Sequence, residues 1–431
     1  MTGRTFCIGT LGCRVNQTES DGFREILREA GYREVAFGQP ADVVIVHTCT
    51  VTHTADAKSR QTIHRGVKAG PEAIVVVSGC YAQTAADEIA AMDGVDIVLG
   101  TRDRGQLLEY IEQVRTSRSP VRVVSDILRE KSFEEMPFVR TERTRAFMKI
   151  QEGCQQFCTY CIIPFARGPV RSRDPRRVLE EAQRLAEEGF REVVLTGIHT
   201  GAYGQDLEGW DLARLLGQLR QVTGFERIRV SSLDPNEFTG GLLDEIGRGM
   251  PLTDHFHISL QSGSDPVLER MRRAYDTRRY RELLERLRDL RPGLAVTTDV
   301  MVGFPGETGE QHHQSLSFVE EMGFSDIHVF PYSPRSGTRA STFPDQVPEA
   351  VKQQRMSEML ALKKVLRHRF RQAQVGLPAR ILVEKCRPEG VGGHTEKFLW
   401  AEISGEKFPK NTLVDVIIRK AEQRALICDV R

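Results

Sequence analysis

Short apolar runs alternate with amphipathic stretches through the first hundred residues. "TFCIGTL", "DVVIVHT", "AIVVVSG" and "DIVLG" read as strands, and "ESDGFREILREAGY" carries Phe23, Ile26, Leu27 and Ala30 at i, i+3, i+4 and i+7. Buried strands followed by helices with one apolar face make a parallel α/β sheet, here of flavodoxin-like type. Cys13 in "TLGC", Cys49 in "HTC" and Cys80 in "SGC" each stand at or just after a strand end. A parallel sheet gathers those ends on one edge, where α/β proteins place ligands, so these cysteines are expected to meet despite their separation in sequence.

Residues 116–145 are charged and aperiodic and read as a linker with one strand, which sets the N-terminal domain at 1–115. A second βα series follows, with strands expected at 146–150, 192–196, 227–231, 256–260, 296–301 and 326–330. Six such units fit a partial (β/α)6 barrel whose site lies at the strands' C-terminal ends. A long helix is expected over 346–375, closing a core domain of 146–375. "ARILVEK", "FLWAEI", "TLVDVIIR" and "RALICDV" then predict a small OB-like β-barrel over 376–431.

Composition adds limits. The chain has 431 residues, 40% apolar and 28% charged, which suits about three globular domains. No apolar run is long enough to span a bilayer and the start lacks a signal peptide's pattern, so a cytoplasmic protein without membrane partners is expected. A net charge of +1 gives no global case for nucleic acid, so any RNA footprint must be local. Nine cysteines without a secretion signal point to reduced thiols serving metals or catalysis.

"EGCQQFCTYC" puts Cys154, Cys158 and Cys161 at C-x3-C-x2-C directly after the first barrel strand. Structural zinc, still an alternative, usually takes four protein ligands, and structural iron-sulfur clusters likewise prefer four cysteines. Three thiolates on one loop suit a cubane with one iron open to the amino and carboxylate groups of S-adenosylmethionine. Cys7, Cys386 and Cys428 lack matched partners and are expected to pack in cores.

This motif in this place resembles the radical S-adenosylmethionine superfamily. Tyr160 fills the position the family gives to an aromatic residue beside the cofactor's adenine. "TGIHTGAYG", "SSLDP", "LQSGS" and "DVMVGFPGE" lie at expected strand ends. By resemblance, Gly197 and Gly303 allow close backbone approach to the cofactor, while Ser232, Gln261 and Asp299 supply polar contacts. With "TLGCRVN", "HTCTVT" and "SGCYAQ" ahead of the core, the whole chain is similar to the methylthiotransferases, whose terminal barrel is an RNA-binding TRAM domain. That likeness implies two [4Fe-4S] clusters, the second held by Cys13, Cys49 and Cys80 and carrying the sulfur to be transferred. It also implies two S-adenosylmethionine molecules per turnover and a low-potential electron donor.

Branches of that family act on tRNA isopentenyladenosine, on tRNA threonylcarbamoyladenosine, or on a ribosomal-protein aspartate. "TLGCRVNQTES", "HTCTVTHTADAKSRQ", "TGIHTGAYG" and "VFPYSPRSGTRAS" look most like the threonylcarbamoyladenosine branch, with His47, His394 and Lys397 as departures. A non-catalytic iron-sulfur RNA-binding or sensor protein is the reading from another class. Seven Lys or Arg against one Glu over 351–375, and five arginines in "RGPVRSRDPRR", suggest a basic track for tRNA phosphates. Phe398 and Trp400 alternate along one expected strand, as a base-stacking face or a core face would.

Overall fold

The computed structural model describes residues 3–137 and 143–431, so 138–142 of the stretch read as a linker lie outside the described residues. The N-terminal strands β1 (Thr5–Thr10), β2 (Arg33–Glu34), β3 (Val43–Thr48), β4 (Ile74–Gly79), β5 (Ile97–Leu99) and β6 (Val121–Val123) form one sheet in the order β2-β1-β3-β4-β5-β6. Every neighbouring pair is parallel. The last strand comes from the stretch read as a linker. Both faces are covered, one by a cluster around Phe6, Phe23 and Ile45, the other by a cluster around Cys7, Val44 and Val75. The strands are therefore apolar on both sides, as a doubly covered sheet requires.

The central strands run parallel in two groups of three. β7 (Ala146–Lys149), β10 (Glu192–Thr196) and β11 (Arg227–Val230) make one, and β12 (His255–His257), β13 (Ala295–Val302) and β14 (Asp326–Pro331) the other; β8 (Gln151–Glu152) and β9 (Arg171–Ser172) form a small antiparallel pair. Single parallel bridges, Ile228 to Leu252 and Leu233 to Ile258, join the groups into one open six-stranded wall. Helices such as Pro175–Glu187, with Val178, Ala182 and Leu185 turned inward, pack its outer face. The expected long helix spans Glu349–Gln372.

The terminal barrel is closed by five strands, β15 (Pro378–Arg387), β16 (Gly390–Thr395), β17 (Trp400–Ser404), β18 (Leu413–Ala421) and β19 (Leu426–Val430). Sequence reading expected four. The missing one, "GVGGHT", carries no β-branched run because its glycines make room for neighbours. A Cβ at Gly393 would stand 1.7 Å from the Leu382 carbonyl oxygen, and one at Gly392 2.7 Å from the Trp400 ring.

Several contacts seat the N-terminal sheet on the central wall. The short helix Cys80–Thr84 packs against the short helix Ile163–Arg167, and Thr101 Oγ1 donates to the Ala166 carbonyl at 2.8 Å. On the far side Arg335, within "VFPYSPRSGTRAS", is buried against Asp56 and Thr50, which follows Cys49.

Candidate functional site

Cys13, Cys49 and Cys80 stand beyond the ends of β1, β3 and β4, three adjacent strands. Cys13 caps the helix Arg14–Glu29, and Cys80 opens the helix that follows β4. Gly12 has φ +95°, and a Cβ there would meet Cys49 Sγ at 3.0 Å, so the missing side chain lets the Cys13 turn close on Cys49. Burial pushes the Cys80 thiol up to about 12, partly offset by Arg167 and reinforced by Cys13 and Cys49. Burial raises Cys49 as well. Two buried thiols that resist ionisation alone, Cys49 and Cys80, beside the more exposed Cys13, suit an iron centre, which binds thiolates and neutralises their charge.

Cys154, Cys158 and Cys161 lie together on the loop after β8. Gly153, at φ +75°, has no room for a Cβ against the Pro169 carbonyl, and Phe157 takes a left-handed conformation, so the loop is tightly folded. Burial, with the neighbouring Cys158 and Cys154, pushes Cys161 up to about 12. Among the described residues no three His, Cys, Asp or Glu side chains converge tightly enough to chelate one metal ion. A cubane spreads its thiolates over separate irons, so three cysteines in each triplet would leave one iron without a protein ligand.

The cations touching these sulfurs escaped sequence reading. Arg167, fully buried, donates from Nε to Cys80 Sγ at 3.1 Å, from Nη2 to Asn16 at 2.7 Å and from Nη1 to Glu19 at 2.5 Å. Arg273 donates to Cys158 Sγ at 3.2 Å while paired with Asp234. His199 Nδ1 lies 3.8 Å from Cys154 Sγ and its Nε2 2.5 Å from Glu237. Burial opposes its protonation, but Cys154 and Glu237 outweigh that and raise it to about 10. Arg167 left one signal, a charge closing the apolar run "CIIPFAR", and His199 another, its place in "TGIHTGAYG" at a strand end; Arg273 left none.

Behind Arg167 lies a buried ionic group spanning both domains. Glu19 is fully buried and pairs with Arg104, Arg167, Lys149 at 3.3 Å and His47 at 3.1 Å. Glu152 joins Lys149 at 2.9 Å, Arg104 at 3.1 Å and Arg171 at 3.3 Å. His47, the departure noted in sequence, thus belongs to this group. Four cations face Glu19, Glu152 and Glu134, which pairs with Arg104, and the surplus positive charge points its guanidinium at the Cys80 sulfur.

The remaining positions are spread along the strand ends. Tyr160 packs edge-on against Phe304 at 6.4 Å. Gly197 lets Gln151 approach, and Gln151 Oε1 accepts from His199 N. Ser232 is exposed on a cavity wall. Gln261 has φ +69° and a buried Oε1 without a partner among the described residues, a fit for a ligand donor. Asp299 pairs with His257 at 3.2 Å. Gly303 is approached by the Lys352 side chain, and its N–H donates to Glu307 at 2.6 Å.

Other expectations need correction. Arg167 and Arg171 of "RGPVRSRDPRR" are buried in ion pairs, and Arg173 pairs with Glu135 and Glu181, so that segment is an interface and leaves only Arg176 and Arg177 exposed. In the long helix, Lys352 and Arg355 are buried, the latter paired with Glu307 at 2.7 Å, leaving Lys364 and Arg367 as the freer cations. Phe398 is not on a strand. It sits in the β16–β17 turn at φ +61°, stacked on His394 at 4.5 Å, while Leu399, Ala401 and Ile403 form the core face and Trp400 lies under Lys385. Cys7 and Cys428 are buried, but Cys386 is exposed.

A cavity of about 400 Å³ opens where the three layers meet. Cys13 and Arg14 of the N-terminal layer, Gly197, Ser232, Arg229 and His255 of the wall, and Lys397 and Phe398 of the terminal barrel all line it.

Residues 148–319 match the radical SAM superfamily and residues 5–100 match the uncharacterized protein family UPF0004. Among curated proteins, the chain is 44% identical to the threonylcarbamoyladenosine tRNA methylthiotransferase MtaB of Bacillus subtilis (strain 168), covering 97% of this chain and 94% of that protein. It is 40% identical to the protein of the same name from Aquifex aeolicus (strain VF5), over 87% and 91%. Against the tRNA-2-methylthio-N(6)-dimethylallyladenosine synthase of Moorella thermoacetica identity is 35%, over 97% and 96%. The solved radical S-adenosylmethionine methyltransferase TsrM of Kitasatospora setae shares the fold at TM-score 0.55 and 13% identity, covering 78% of this chain and 76% of that one.

Proposed function

We propose, from the premise that this chain belongs to the radical SAM tRNA methylthiotransferases, that it inserts a methylthio group at C2 of N6-threonylcarbamoyladenosine beside the tRNA anticodon. The observation carrying this reading is Arg167, which reaches from the helix after Cys161 to the sulfur of Cys80 and so ties the two cysteine-bearing segments together. In this reading Cys154, Cys158 and Cys161 hold a [4Fe-4S] cluster that takes S-adenosylmethionine, and Cys13, Cys49 and Cys80 hold a second one. When bound, these groups supply a 5'-deoxyadenosyl radical and the methylthio sulfur, with two S-adenosylmethionine molecules consumed and a low-potential donor providing electrons.

The chain's own residues orient and shield. Arg273 and His199 fix the sulfurs of the loop triplet, and Tyr160, Ser232, Gln261 and Asp299, with Gly197 and Gly303, border the cofactor. Glu19 and its cations lock the two cysteine-bearing segments in one register, which is the positioning a transfer between two centres needs. Residues 376–431 act as a TRAM-type module that grips tRNA. No described helix is long and apolar enough to cross a membrane, and we assign the protein to the cytoplasm.

Nucleoside mass spectrometry of threonylcarbamoyl-bearing tRNA, incubated with reconstituted protein, S-adenosylmethionine and a reductant, tests the reading. The methylthio derivative is expected. Modification of isopentenyl-bearing tRNA instead, or 5'-deoxyadenosine without any modified nucleoside, would overturn it.

A further inference from the structure

The cavity between the three layers carries more positive charge than its nearby carboxylates pair. Arg14 is half-buried and makes only cation-π contacts, 5.7 Å from the Phe147 ring and 5.9 Å from the Phe398 ring, with no ion pair among the described residues. Arg229 is 1% exposed; its Nε is held by Glu192 at 2.9 Å, while its Nη1 is buried without a partner among the described residues. Its guanidinium carbon lies 4.6 Å from the Phe398 ring. His255 Nε2 meets Thr297 Oγ1 at 3.0 Å, and its Nδ1 is likewise buried and unpartnered. Asp326, on the same wall, is engaged by Lys363 at 3.4 Å. Phe398 holds a left-handed backbone conformation, at φ +61°, that is strained for an aromatic residue. The turn is strained in a way that puts an aromatic wall beside three guanidiniums, of Arg14, Arg229 and Arg145, the last paired with Glu384 at 3.1 Å.

Desolvated guanidiniums that repel each other are costly unless an anion pairs them. A cavity of about 400 Å³ is within the range of small-ligand sites, and Cys13 forms part of its wall. Resting on the function proposed above, the group beside Cys13 is the target base and its N6 substituent. We propose that Arg14 and Arg229 form the subsite for the carboxylate of the N6-threonylcarbamoyl group, and so set the choice of modified adenosine. An isopentenyl chain offers nothing to pair with Arg14 or with the unpartnered Nη1 of Arg229. Sites built around a polar group reject analogues that lack it by factors far above those of apolar pockets.

The test uses the reconstituted full chain and anticodon stem-loops bearing N6-threonylcarbamoyladenosine, its primary carboxamide, or unmodified adenosine. Binding and methylthiolation are both read. The unaltered protein is expected to favour carboxylate over carboxamide by roughly 100-fold in kcat/KM. Arg14→Gln should bring the two within about threefold, with affinity for the unmodified stem-loop and its salt dependence unchanged, and Arg14→Lys should restore part of the preference. Because Arg14 adjoins Cys13, Arg229→Lys, which keeps the Glu192 pair but loses the planar fork, gives a second reading in the same direction. Equal use of carboxylate and carboxamide by the unaltered protein would overturn the proposal. So would an Arg14→Gln variant that weakens all three stem-loops alike and flattens their salt dependence, which assigns the cation to an RNA phosphate. If no stem-loop is methylthiolated the proposed function fails, while the binding preference for the carboxylate still decides the subsite.

Discussion

Cys154, Cys158 and Cys161 lie on one continuous loop, whereas Cys13, Cys49 and Cys80 are brought together only by the order of three parallel strands. The loop triplet needs local backbone geometry, a Gly153 without a side chain and a left-handed Phe157. The strand-end triplet needs the whole N-terminal sheet and the docking of Arg167 from the neighbouring domain. One site is written in spacing and the other in topology, so perturbing the fold should strike them unequally.

Removing each triplet should produce the largest difference. Changing Cys154, Cys158 and Cys161 together to Ala is expected to remove about half the iron and abolish 5'-deoxyadenosine formation. The equivalent change at Cys13, Cys49 and Cys80 should remove the other half and spare that cleavage. Iron analysis and chromatography of the cleavage product check both, and loss of all iron from either variant would erase the distinction.

Glu19→Gln should be next. It leaves Arg104, Arg167 and Lys149 without the carboxylate they share, at a cost of about 3–5 kcal/mol in chemical denaturation. Iron at the strand-end triplet should fall further than iron at the loop triplet. Equal loss from both would show that the two sites do not differ in their dependence on the fold.

Much of this was legible beforehand, and the gaps have physical causes. All six barrel strands lie where apolar runs placed them, within a residue or so at most ends, because all but β14 are largely buried on both sides. β16 was hidden since its glycines serve close packing, while β6 is the one strand that the aperiodic stretch 116–145 was expected to hold. "RGPVRSRDPRR" misled because arginines in sequence look the same whether they meet phosphate or buried carboxylates. Arg273 and His199 reach their cysteines across the fold, a relation that no spacing encodes.

Acid should reproduce part of the Glu19 effect. Burial opposes ionisation of Glu19, but Arg104, Arg167 and Lys149 prevail and hold it well below its ordinary 4.5. A depressed carboxyl contributes stability that is present above its unfolded value and is lost as pH falls through the folded one. Domain docking, followed by limited proteolysis, should therefore hold above pH 4.5 and weaken progressively below it, and Glu19→Gln should remove most of that dependence.

The smallest effect should come from charge on the long helix. Lys364→Glu with Arg367→Glu is expected to weaken tRNA binding several-fold and flatten its salt dependence, with both iron centres retained. Binding titrations at two salt concentrations check it. Iron loss in this variant would mean that the helix supports a triplet.

The central claim is that two triplets with separate tasks serve one insertion. Quantifying 5'-deoxyadenosine and methylthiolated nucleoside in the same reaction, for the unaltered protein and the variant lacking Cys13, Cys49 and Cys80, tests it most directly. The account predicts both products from the former and 5'-deoxyadenosine alone from the latter. Methylthiolated threonylcarbamoyladenosine from the variant would contradict it.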